Sequence, residues 1–158
     1  MKNKSVKTLF LLALVLNIAS CNRVKTTPMV KESYADGKPK VLVEYAEDEY
    51  GKKTLYKETH YFPGEKKYIE GKYNKEEARN GVWTSWHENG NKNSEGKYID
   101  GQLDGKYRVW YENGKLRYKG QYKMGIRVDV WEFYDVEGNK TKREVYDSKG
   151  VKIKEEKF

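Results

Sequence analysis

Ser85 and His87 stand two residues apart in "TSWHENG", as near as this chain comes to a nucleophile beside a base. On an extended segment they share a face, but their side chains stand roughly 7 Å apart, beyond the hydrogen-bond reach an activated nucleophile needs. His60 is the only other histidine and Cys21 the only cysteine, so no His/Cys spacing suggests a metal centre or a bound cofactor. The acid runs Glu47-Asp48-Glu49 and Glu76-Glu77 fall in turn-like stretches, where solvated charge is the ordinary state. A hydrolytic carboxylate pair needs two acids framing a cleft. These residues are those of a protein expected not to be an enzyme.

A different chemistry is suggested by rings. Trp86, Trp110 and Tyr134 recur 24 residues apart, with Arg108, Arg117, Lys119, Lys97 and Lys106 around them. Stacking surfaces among cations are what a platform for a glycan, a peptide or an acidic polymer would use. The same residues also fit a structural reading. Trp110 placed opposite Arg117 would stack on it, a cation–π contact of about 0.5–1 kcal/mol at an exposed site.

The spacing of 24 belongs to a repeat. "GVWTSWHENGNKNSEGKYIDGQLD" (81–104) lies over "GKYRVWYENGKLRYKGQYKMGIRV" (105–128) without a gap, and a third copy spans 129–150. Residues 34–80 hold degenerate copies, with Gly71-Lys72-Tyr73 matching Gly96-Lys97-Tyr98. Asn-Gly between alternating segments is a strong hairpin signal, because both central residues of a type I′ turn need φ > 0. With Asn113-Gly114 at that centre, Val109 faces Tyr118, Tyr107 faces Gly120 and Tyr111 faces Leu116. One face then carries Tyr107, Val109, Tyr111, Leu116 and Tyr118. The other is basic, with Lys106, Arg108, Trp110, Arg117, Lys119 and Gln121. Trp83 falls opposite Gly96, where a missing Cβ leaves room for the ring. Trp131 instead faces Glu144, as in a terminal, capping copy.

The pattern G-x-W-x-x-W/Y-x-E-N-G, followed by G-x-Y-x-x-G, resembles the bacterial variant of the MORN repeat. The resemblance implies an all-β fold of consecutive β-hairpins in an elongated antiparallel meander sheet. It implies no shared enzymatic activity, but scaffold, protein-binding or lipid-associated roles. Some bacterial relatives of that family serve as antitoxins, which makes an immunity or antitoxin-like protein the rival reading. Strand-length segments at about 12-residue spacing, with no helical periodicity, lead to the same architecture.

The ends set the setting. "MKNKSVK" and the short apolar run after it read as a secretory signal, too short to span a bilayer. "IASC" resembles the lipobox of bacterial lipoproteins, which implies cleavage after residue 20 and lipid on Cys21. Residues 21–33 then form a tether and residues 34–158 the repeat domain, held at the outer membrane and facing the periplasm. The whole chain carries 32 Lys+Arg against 24 Asp+Glu, a formal +8. Removal of residues 1–20 takes three lysines and no acid, leaving +5. That excess suits an acidic surface or polymer, and an exported chain does not meet chromosomal DNA, so no nucleic-acid partner is expected.

Overall fold

The structure is a computed structural model that describes residues 24–158; the signal segment and Cys21 lie outside the described residues. Eleven strands follow one another: β1 (Thr26–Ser33), β2 (Pro39–Glu47), β3 (Lys53–Tyr61), β4 (Lys67–Tyr73), β5 (Arg79–Trp86), β6 (Lys92–Ile99), β7 (Gln102–Trp110), β8 (Leu116–Lys123), β9 (Ile126–Tyr134), β10 (Lys140–Tyr146) and β11 (Lys152–Lys157). They form one open antiparallel sheet in chain order, the meander expected from the repeat. No helix occurs among the described residues.

Thr26–Ser33 was expected within the tether but pairs with β2 as an edge strand. Its Pro28 is tolerable only on such an edge, and nearly every side chain of β1 is exposed, so no buried face marked it as a strand. "NKEEARNG" is a turn, Asn74–Ala78, running into β5.

From β5 to β10 two kinds of turn alternate. At Tyr111–Lys115 the Gly114 amide donates to the Tyr111 carbonyl at 2.9 Å, and the Tyr111 amide to the Lys115 carbonyl at 2.9 Å. Gly114 has φ 82, whereas Asn113 is not among the positive-φ residues. This is a three-residue loop, a type I turn closed by a glycine bulge, and not the expected type I′ turn. The type I′ turns sit at the opposite ends of the strands, at Asp100-Gly101 (φ 47 and 84) and Met124-Gly125 (φ 48 and 78).

The wide loop has a consequence for register. Tyr107↔Gly120 and Val109↔Tyr118 pair as expected, but the register then slips and Trp110 pairs with Leu116. The same slip follows Ser85↔Ser94 and Phe133↔Lys142.

A second irregularity joins the hairpins. Between Gly96↔Tyr107 and Tyr98↔Leu103, the later strand carries two residues more than the earlier one. The same excess occurs between Glu70↔Thr84 and Lys72↔Asn80, and between Lys119↔Glu132 and Gln121↔Val128. At these double bulges sit Gly81, Gly105 and Asp129, 24 residues apart, all at positive φ (80, 123 and 59).

The ring after each bulge leans back over the preceding strand. A Cβ on Gly71 would meet the Trp83 ring at 2.1 Å, one on Gly96 the Tyr107 ring at 2.7 Å, and one on Gly120 the Trp131 ring at 2.2 Å. Trp83 does pair with Gly96, but its ring lies on Gly71, and Gly120 makes room for Trp131 and not for Tyr107. Arg79 lies 4.0 Å over Trp83 and Arg127 4.4 Å over Trp131, while Tyr73 and Tyr122 meet the same rings edge-on. With Val41, Val43 and Val109, this ring face holds most of the core, and Trp131 is completely buried. Glu144 faces Trp131 as expected; it is buried, and Lys142, Lys152 and Tyr146 hold its carboxylate.

Candidate functional site

The opposite face is organised by charge. Successive cross-strand pairs line up Glu70, Thr84, Glu95, Arg108, Lys119, Glu132, Arg143 and Glu156 in one row across eight strands. Arg108 reaches Glu95 at 3.4 Å, Lys119 reaches Glu132 at 2.9 Å and Arg143 reaches Glu156 at 3.3 Å. Lys92 adds a second contact to Glu95 at 2.6 Å, and Lys140 a second contact to Glu132. Hydrogen bonds from Lys140 and Lys119 hold the Glu132 carboxyl at a pKa of about 2, and the bond to Glu132 raises that of Lys119. The face expected to be basic is therefore a ladder of ion pairs. Arg108 and Lys119 are members of it, because the register brings an acid beside each.

The expected ring row is on this face. Trp86, Trp110 and Tyr134 precede the wide turns that begin at His87, Tyr111 and Asp135 and are half-buried, and no two of them are in ring contact. Their surroundings differ from the expected ones. The Lys67 ammonium lies 5.7 Å over Trp86 and that of Lys92 5.6 Å over Trp110, while the Tyr134 hydroxyl donates to Glu132 at 3.1 Å. Arg117 does not stack on Trp110. The register slip moves it away, and its guanidinium lies 5.6 Å over the Tyr111 ring.

The space on this face opens at the double bulges. A groove of about 440 Å³ is lined by Val82, Lys97, Gly105, Lys106, Arg108 and Gln121, together with Glu95 and Gly96. The next bulge makes a second groove of about 370 Å³, sharing Lys106, Arg108 and Gln121 and adding Lys119, Asp129, Val130 and Glu132. Through these shared residues the two form one trough over β5–β9. Gly105 shapes it: the Lys97 stem lies 3.2 Å from where a Cβ of residue 105 would stand. Lys97 and Lys106 have no carboxylate partner among the described residues.

Sequence reasoning found Lys97, Lys106, Arg108, Lys119 and Gln121 but missed Val82 and Gly105, which complete the trough. The signal was available in the Gly-Gly-Asp phase of residues 81, 105 and 129. Ser85 and His87 go elsewhere: Ser85 bonds Ser94 at 2.7 Å, and His87 Nε2 donates to the Trp110 carbonyl at 3.0 Å. His60 Nε2 bonds Glu58, whose other oxygen accepts from the Tyr73 hydroxyl at 3.2 Å. No group of three potential metal ligands occurs among the described residues.

No curated protein matches the chain. Among solved structures, a protein of unknown function from Bacteroides fragilis NCTC 9343 is similar over 84% of this chain and 93% of its own, at 13% identity and a TM-score of 0.21. Nothing about fold or function rests on so loose a superposition. Residues 79–100 and 103–124 each match the family model of the MORN repeat variant, so that β5–β6 and β7–β8, the strands that frame the trough, are two such repeats in tandem.

Proposed function

We propose that the chain is a lipid-anchored, non-catalytic binding module of the cell envelope that holds a protein or an envelope polymer against its charged face. The observation that carries this reading is the trough over β5–β9. There Lys97 and Lys106 stand without carboxylate partners on a face where Glu95 and Glu132 are each held by two cations. The two matched repeats support a repeat-based binding or scaffold role. The bonds that hold Ser85 and His87 to other groups support a non-catalytic one.

Anchoring rests on the "IASC" motif and Cys21; Asn22 after the cysteine, where lipoproteins kept at the inner membrane usually carry Asp, favours the outer membrane, facing the periplasm. With Thr26 already in the sheet, the link from Cys21 reaches at most about 17 Å, where a tether to residue 33 would have reached roughly 40 Å.

Two measurements test the two halves of the reading. Metabolic palmitate labelling should mark the wild type and not Cys21→Ala; label in both, or in neither, removes the anchor. A photo-crosslinking residue at Gln121, in the trough, should capture a partner in cells, while one at Tyr122, on the ring face, should not. Adducts from position 122 alone would remove the trough as the binding surface.

A further inference from the structure

We propose that the trough takes an acidic peptide segment in polyproline II conformation, with one carboxylate side chain seated between Lys97 and Lys106 and apolar side chains three residues to either side. The inference rests on the reading of the trough as a binding site and adds the chemistry and spacing of what fills it.

Charge comes first. The groove between β6 and β7 has Lys97, Lys106 and Arg108 on its walls against Glu95, which Arg108 and Lys92 already share. The adjoining groove adds Glu132, held by Lys119 and Lys140, and Asp129 beside Val130. One anionic group is therefore matched by Lys97 and Lys106 without displacing an existing pair. The Lys97 stem is laid along Gly105, and the residue is exposed, so its ammonium is free to meet solvent or an anion.

Main-chain chemistry points the same way. Across this joint the pairing jumps from Gly96↔Tyr107 to Tyr98↔Leu103, so Lys97 and residues 104–106 have no register partner across it. Gln121, common to both grooves, presents a donor and an acceptor together. A peptide offers amides that answer both.

The apolar lining argues against a sugar. Val82 is 57% exposed and Val130 38% exposed, at the positions equivalent to Lys106 in the flanking bulges. A pyranose would need a bare ring to stack on, and the Trp86 and Trp110 rings on this face are already under Lys67 and Lys92.

Geometry then fixes the spacing. Equivalent positions lie two strand spacings apart, about 9.5–10 Å. One turn of polyproline II is three residues and about 9.3 Å, with every third side chain on the same side. Val82, Lys106 and Val130 thus meet residues −3, 0 and +3 of a segment that runs across the strands.

The test is fluorescence anisotropy on the detergent-solubilised full chain. The probe is a labelled proline-rich peptide carrying Leu, Glu and Leu three residues apart. Controls are its Glu→Gln form, a form with the leucines two residues away, and an alginate oligomer of polyuronate. The Glu peptide should bind at least about tenfold more tightly than any control, and Lys97→Glu with Lys106→Glu should weaken it at least about tenfold. Lys123→Glu with Lys149→Glu, the same charge change outside the trough, should leave it within about twofold. Alginate bound as tightly as the peptide, and lost in the same trough variant, would keep the site and overturn the peptide. Equal binding by the two leucine spacings would overturn the geometry. Failure of the Glu peptide to bind would overturn the inference. Binding indifferent to Lys97→Glu and Lys106→Glu would remove the site as well.

Discussion

The Trp83 indole Nε1 donates to the carbonyl oxygen of Lys72 at 3.0 Å, and this bond lies where the ring folds back across β4. Two repeats later Trp131 takes the same place over a glycine, yet its Nε1 is buried without a partner. The same change should therefore act differently at the two sites. Trp83→Phe breaks a bond, whereas Trp131→Phe removes a buried N–H whose desolvation, about 1–3 kcal/mol, is uncompensated. Trp131→Phe should destabilise less than Trp83→Phe by about 1 kcal/mol or more, although Trp131 is the more buried. Urea midpoints followed by circular dichroism would read the difference; an equal or reversed order would contradict the role given to Lys72.

The glycine shelves order a second series. Ala at Gly71 or Gly120 puts a methyl 2.1–2.2 Å from fused-ring carbons, which cannot yield locally. At Gly96 the near atoms are Tyr107 Cδ2 and the free end of Leu103, at 2.7 and 2.8 Å. Gly71→Ala and Gly120→Ala should each cost about 3 kcal/mol, and Gly96→Ala about 1–2 kcal/mol. Had the rings leaned the other way, Gly96→Ala would displace Trp83 and be the most damaging of the three.

Asn113 separates two accounts of its turn. Its Nδ2 donates to the Val136 carbonyl of the next wide turn at 2.8 Å, and its Oδ1 accepts from the Lys115 amide at 3.0 Å. Asn89 makes the matching bond to Glu112 at 2.7 Å. Asn113→Gly should thus lose about 0.5–1.5 kcal/mol, with faster amide exchange at Lys115. At a positive-φ position the same glycine would be neutral or favourable.

Acid should weaken the ion-pair ladder in a defined window. The Glu132 pKa is depressed from 4.5 to about 2, so its contribution is complete above 4.5 and disappears as pH falls towards 2. The pKa values of Glu70 and Glu144 are also lowered, and act in the same direction. Between pH 6 and pH 3 the wild type should lose more stability than Glu132→Gln, by about 1–2 kcal/mol after allowing for solvent screening. Parallel losses in the two proteins would show that the Lys119 and Lys140 contacts contribute nothing.

Much of this was legible from periodicity. Tyr107 opposite Gly120 and Val109 opposite Tyr118 follow from counting outwards from Asn113-Gly114. The slip at Trp110 does not, because Glu-Asn-Gly serves a two-residue and a three-residue loop equally well. Only the longer loop moves Arg117 from Trp110 to Tyr111. The cations at 108 and 119 were plain, but their neutralisation required the strand order that brings Glu95 and Glu132 beside them. Thr26–Ser33 was hidden because an edge strand with both faces wet has no alternation to read.

Each strand pairs only with its neighbours in the chain, so the sheet is a row without long-range closure. Its length is therefore an independent variable. An extra 24-residue unit spliced in at Asp129 would push the two ends apart by about 9.5–10 Å, leave every other pairing in place and lengthen the trough by one groove. Such a chain measures what it binds, as a gauge graduated in hairpins.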